Sequence, residues 1–133
     1  MANSRTLFLE RNKVPSRQAL QEAVKGLKFR LGIDDAYVPF ECSGYIPCTL
    51  DGEDAGFEIR FGVCPESLSP SLQGRDVSMV LRWGGDPRER TSALMISAAL
   101  AHAFGALVNG EREEDFLSAD QLIEEARAAF SRL

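Results

Sequence analysis

The stretch VSMVLRWGGDPRERTSALMISAALAHAFG, residues 77–105, places a strand pattern directly before a helix pattern, and the junction between them decides the fold class. Val77, Met79, Leu81 and Trp83 recur every second residue, the period of a strand with one buried face. Gly84-Gly85 ends that pattern. Asp86 stands as an N-cap, Pro87 at the first helical position and Glu89 three residues after the cap, so the free N–H groups of a starting helix are provided for. The helix is expected to run to about Phe104, with Gly105 as its stop.

The same periodicities continue outward. Phe57, Ile59, Phe61 and Val63 alternate with Glu58 and Arg60, and Ile46, Cys48 and Leu50 alternate on the other side of Asp51–Gly56. The two runs read as a hairpin. Residues 64–75 hold Pro65, Pro70, Gly74 and several serines, the composition of a long loop. Near the start, Arg5–Arg11 reads as a strand and Ser16 caps a helix to about Leu27, with Ala19, Leu20, Ala23, Val24 and Leu27 at helical spacing. Phe29, Leu31 and Ile33 suggest a short strand, and residues 34–43 a loop. Downstream, Ala106–Asn109 is expected to add an edge strand. Ser118 and Gln121 form a capping box, Leu117 can staple onto Leu122, and Leu122, Ala126, Ala129 and Leu133 give the last helix a buried stripe. The order predicts a single α+β domain over residues 1–133: a mainly antiparallel sheet of four to six strands with about three helices packed on one face.

The chain has 133 residues with 15 Lys+Arg against 20 Asp+Glu, a net charge of −5, and 44% hydrophobic residues. Such a length buries roughly two-thirds of the unfolded surface, and the acidic balance (pI ≈ 4.9) argues against a nucleic-acid binder. The charge is unevenly placed. Residues 1–33 carry seven basic groups and two acidic ones, and the remaining hundred carry eight basic and eighteen acidic, a polarity that can steer a charged partner. Leu7-Phe8-Leu9 is too short for a signal-peptide core. Ala93–Val108, interrupted by Ser97 and His102, is too short for a bilayer core of about 30 Å, so no membrane contact and a cytoplasmic location are expected. Cys42, Cys48 and Cys64 are odd in number and lack metal-ligand spacing, and there is one His, so reduced thiols and no metal or cofactor are expected.

Few residues offer chemistry. His102 is the only imidazole; winding the helix puts it beside Thr91, Met95, Ala98 and Ala99, on the side expected to be wetter, with no nucleophile or carboxylate placed beside it by local spacing. Gly84-Gly85-Asp86-Pro87 precedes a helix N-terminus, where phosphate can bind, but the Asp86 carboxylate would occupy the donors and repel an anion. Cys48 falls on an apolar strand face, expected to be buried and inert, and neither Cys42 nor Cys64 has a basic cluster to activate it. No catalytic residue is therefore predicted. Two acidic clusters remain: Asp51, Glu53 and Asp54 at the hairpin tip, and Glu111, Glu113, Glu114 and Asp115 before the last helix. The first lacks the ligand pattern of a calcium loop, and the second is a charge run in a turn; as docking patches the two would complement a basic protein.

Four segments share a further likeness: Val14-Pro15-Ser16-Arg17-Gln18-Ala19-Leu20-Gln21-Glu22-Ala23, Ser43-Gly44-Tyr45-Ile46-Pro47, Leu50-Asp51-Gly52-Glu53-Asp54-Ala55-Gly56-Phe57-Glu58, and Trp83-Gly84-Gly85-Asp86 opening an Ala-rich helix. Together, from about Val14 to Ala126, they resemble small bacterial immunity proteins of type VI secretion effector/immunity pairs. The resemblance implies a non-enzymatic protein that binds and inhibits a cognate secreted antibacterial toxin in the cytoplasm. Charge, separately, makes a basic toxin the expected complement. The alternatives are an adaptor or chaperone that loads the effector before export, and a small enzyme using His102.

Overall fold

Ten consecutive residues of helix α2 (Pro87–Phe104), from Thr91 to Leu100, are buried in the computed structural model, which describes residues 3–41, 43–63, 72–109 and 116–133. A helix buried on every side needs small or apolar residues all round, and this segment alternates Ala and Ser with Leu, Met and Ile. Its hydroxyls are returned to its own backbone: Thr91 donates to the Pro87 carbonyl (2.8 Å), Ser92 to Arg88 (3.0 Å) and Ser97 to Ala93 (2.9 Å). Each buried polar group is thereby satisfied without a partner from another element. The helix starts and stops where expected. Asp86 caps it by accepting from the Arg88 N–H at 2.9 Å, and Gly105 ends it in the left-handed region at φ 72°. Glu89 departs from the expected capping box: its carboxylate accepts from the N–H of Gly84 at 2.9 Å, tying the helix to the preceding strand.

Around this helix lie two antiparallel sheets. The larger is built from β1 (Ser4–Leu9), β3 (Ser43–Ile46), β6 (Phe57–Val63), β7 (Val77–Arg82), β8 (Leu107–Asn109) and β9 (Phe116–Leu117), in the order β3-β6-β7-β1-β8-β9. Leu7 opposite Met79, Phe61 opposite Met79 and Ile59 opposite Leu81 set one face of this sheet into the core. Arg5, on that same face, donates to both carboxylate oxygens of Glu125 of α3 (Ala119–Ser131) from its two terminal guanidinium nitrogens, at 2.5 and 3.2 Å. The smaller sheet is β2 (Leu31–Ile33), β4 (Cys48–Leu50) and β5 (Glu53–Asp54), in the order β2-β4-β5. Its Leu31, Ile33, Cys48 and Leu50 join the same core cluster. Helix α1 (Arg17–Gly26), capped by Ser16 accepting from the Ala19 N–H at 3.2 Å, and α3, opened by the Ser118/Gln121 capping box, complete the cover on α2. The fold is α+β, with three helices and a six-stranded antiparallel sheet, as the sequence predicts.

Four expectations are corrected. The run 46–63 is not one hairpin: β3 pairs with β6, whereas β4 pairs with β2 and β5 in the smaller sheet. Pro47, which has no N–H to donate, stands where the chain leaves one sheet for the other, and its carbonyl accepts from Asp34 at 3.2 Å. The turn is also tighter than Asp51–Gly56. Asp51 and Gly52 alone connect β4 to β5, both at positive φ (52° and 87°), the signature of a two-residue hairpin. Strand β8 is internal, paired with β1 and β9, not an edge. Finally, Leu133 lies beyond the end of α3 and is exposed, and Ile123 takes a place in the buried stripe instead.

Strand β2 is an edge that α1 closes. The Gln21 side chain donates to the Leu31 carbonyl and accepts from the Ile33 N–H, both at 2.8 Å, as a neighbouring strand would. Arg17 adds a bond to the Ile33 carbonyl at 3.2 Å.

Two glycines make opposite predictions. A Cβ at Gly56 would collide with the Tyr45 ring and lie 2.6 Å from the Ile46 carbonyl oxygen. Gly56→Ala is therefore expected to destabilise the fold by about 2 kcal/mol. Gly26, the last residue of α1, has open space around it. Gly26→Ala should stabilise by about 0.5–1 kcal/mol. Urea midpoints measure both, and a neutral Gly56→Ala would show that β3 and the 55–57 segment do not approach closely.

Candidate functional site

The acidic tip predicted from sequence exists, but the fold brings cations to it. Asp51 accepts from Arg30 at 3.2 Å, and Glu53 pairs with Arg88 from the first turn of α2. Asp54 makes no ion pair among the described residues and lines a 400 Å³ hollow shared with Asp34, Thr49 and Cys48. One of three tip carboxylates is thus open to a partner's cation. Glu111, Glu113, Glu114 and Asp115 lie outside the described residues, as do Cys42 and Cys64.

His102 is exposed, for a different reason than the one expected. Thr91, Met95, Ala98 and Ala99, which share its side of the helix, are all buried. The ring is wet because it lies past the buried segment, in the last turn of α2, and not because one side of the helix faces water. The Gly84–Pro87 turn is occupied by its own carboxylates, Asp86 on the Arg88 N–H and Glu89 on the Gly84 N–H. Among the described residues no three His, Cys, Asp or Glu side chains converge on a metal position, and no helix is long and apolar enough to cross a membrane.

The loop after β2 presents what sequence reasoning missed. Tyr37 is buried and its hydroxyl donates to the Pro15 carbonyl at 3.0 Å, which pins the loop to the start of α1. Three residues on, Phe40 holds φ 66° and is 37% exposed. A bulky residue at positive φ is a strained outlier. The ring is held in a stack: Arg11 lies over it at 4.3 Å from the centroid, and Phe61 of β6 packs against it at 5.3 Å. Arg11 is placed by its own N–H, which donates to Asp76 at 2.9 Å. Val63, two residues after Phe61 on the same strand face, is 86% exposed, which extends this end of the sheet as an aromatic and aliphatic surface. Periodicity could not have found it, because Phe40 belongs to no regular element.

The opposite end of β6 carries a second concavity of 320 Å³. Tyr45, Phe57 and Trp83 line it with Glu58, Arg82 and Glu89. Tyr45 is 55% exposed and lies against Gly56. The mixture of charges gives this cleft no single complement.

No family model, curated protein or solved structure matches the chain.

Cys48 is buried among β2 and β4, and its thiol is pushed up from 9.0 to about 12. Burial is the main cause; a backbone hydrogen bond from Asp34 lowers it, and the Asp34 carboxylate raises it again. The thiol is accordingly protonated and a poor nucleophile at neutral pH. Iodoacetamide at pH 8 should leave the Cys48 peptide unmodified in the folded protein and label it in urea, as read by peptide mass spectrometry. Because the folded thiol titrates above its unfolded value, it contributes stability below pH 9 that is lost as pH rises from 9.0 toward about 12.

Proposed function

We propose that the chain is a non-enzymatic, protein-binding inhibitor of the immunity type, which neutralises a cognate antibacterial toxin by covering it. The Phe40 stack supports this reading above all. A partly exposed aromatic ring held at φ 66° between Arg11 and Phe61 carries a backbone strain that a glycine at this position would not. Aromatic rings and arginines, fixed in place before contact, are the groups that dominate protein interfaces. Val63, on the same face of β6 as Phe61, supplies apolar area beside that anchor. The net charge of −5 and the open carboxylate of Asp54 would draw a basic partner, with steering contributing to on-rate more than to affinity.

The mechanism follows from these parts. Long-range attraction orients the toxin, the rigid Phe40–Arg11 anchor docks without further ordering, and the bound surface excludes the toxin's substrate. Little conformational entropy is lost, because the strain at Phe40 is already present in the free protein.

Co-expression with the product of the neighbouring gene, followed by growth and pull-down, tests the proposal. Protection together with a stable complex is expected; a complex without protection would indicate an adaptor that loads the effector. Within the complex, Phe40→Ala should weaken binding by about 2 kcal/mol, roughly 30-fold, mainly through the off-rate. Asp54→Lys should slow association several-fold at low salt and much less at high salt. Unchanged affinity for Phe40→Ala would remove this end of the sheet from the interface.

A further inference from the structure

A cleft of 340 Å³ opens where the chain leaves α1 and crosses α2 and α3. Its floor is apolar: Phe29 and Met95 are buried in the core, and Phe130 packs against it. Its rim is wholly cationic, with Lys28, Arg30 and Arg127 and no carboxylate, in a chain whose net charge is −5. Arg30 is engaged by Asp51 at 3.2 Å. Lys28 and Arg127 make no ion pair among the described residues.

Lys28 carries a second, independent mark. It occupies the position just past the C-cap of α1, where Lys28 N–H reaches the Lys25 carbonyl at 2.9 Å and Phe29 N–H reaches Val24 at 3.2 Å. That turn requires the left-handed region, and Lys28 holds φ 64°. Glycine adopts this conformation freely and is the usual residue there, whereas a lysine is strained. A glycine does stand two residues earlier, at Gly26, where nothing demands one. The strained position has been given to a cation that faces an apolar cleft.

We propose that this cleft is a binding site for a small amphipathic organic anion, a carboxylate or sulfonate bearing a short acyl chain or a compact aromatic body. The charged head would lie between Lys28 and Arg127, and the apolar body on Phe29, Met95 and Phe130. The volume lies at the small end of ligand pockets, about 300–1,000 Å³, which fits an eight-carbon chain and excludes a phospholipid with two long tails. The proposal is independent of the Phe40 surface, which belongs to a different part of the molecule.

Octanoate is the probe, and the methionine methyl groups are the reporter. The chain has three methionines, Met1, Met79 and Met95. With ¹³C-methyl-methionine protein, octanoate should shift the Met95 resonance saturably and leave that of Met79, buried elsewhere in the core, in place. The neutral isostere 1-octanol should bind at least about tenfold more weakly, and Arg127→Glu should weaken octanoate by about tenfold. Lys28→Gly separates site from scaffold: it should raise Tm by ~3 °C while lowering octanoate affinity. No shift at Met95, equal binding of octanol, or a Lys28→Gly protein that is stabilised and binds octanoate as before would each overturn the proposal.

Discussion

The structure depends on covering one helix on all sides. From Thr91 to Leu100 no residue of α2 is left for water, so no single sheet face or helix could bury it. Sheet strands β6 and β8 take one side, α3 lies along it most extensively, and α1 and β4 close what remains. The side chains permit this because they are short. Ala93, Ala98 and Ala99 let neighbouring elements approach closely, and three hydroxyls return to carbonyls four residues back. A longer polar side chain at any of these sites would need a partner that the surrounding elements do not offer.

That constraint explains the second sheet. With the large sheet on one side and two helices elsewhere, a gap beside α1 and α2 is filled by the smaller sheet, whose β2 and β4 residues Leu31, Ile33, Cys48 and Leu50 join the common core. After β2 and an excursion into the large sheet at β3, the chain returns to this layer at Pro47 and leaves it after Ala55, whose N–H still donates to the Cys48 carbonyl at 2.9 Å. A three-stranded sheet has two edges close together. Gln21 closes the one on β2 with a donor and an acceptor, so an amide on a helix substitutes for a missing strand.

What the sequence made legible was local. The cap of α2 by Asp86, its stop at Gly105 and the Ser118/Gln121 box involve residues at most a few positions apart and appear as read, and Val77, Met79 and Leu81 are buried in β7, which ends at Arg82, one residue short of Trp83. Strand partnership was less legible, because alternation marks a buried face without naming the neighbour across it. Ile46, Cys48 and Leu50 alternate as one strand, yet they serve two sheets, and the sign was Pro47 in their midst. His102 shows the same limit: a helical wheel gives sides, whereas its exposure is set by where along α2 the packing ends. At the acidic tip, Arg30 and Arg88 approach from segments 21 and 35 residues away from their partners, so a cluster that is anionic in sequence is largely paired in space.

Four non-glycine residues among those described hold positive φ, and they divide by chemistry. Asp51 is in a two-residue hairpin turn, a place where aspartate is a common choice, and Gln73 precedes Gly74 in a turn. These two are accounted for by local structure. Phe40 and Lys28 are not, since neither side chain stabilises a left-handed backbone by hydrogen bonding to it, and glycine would serve each turn at less cost. Both are exposed, so neither is held there by a need to fill the core. In each case the strained backbone aims a side chain at a surface with matching neighbours: an aromatic and a cation around Phe40, and an apolar floor with two more cations around Lys28. Such strain at an exposed position is the observation from which a role outside the core is proposed for each of them.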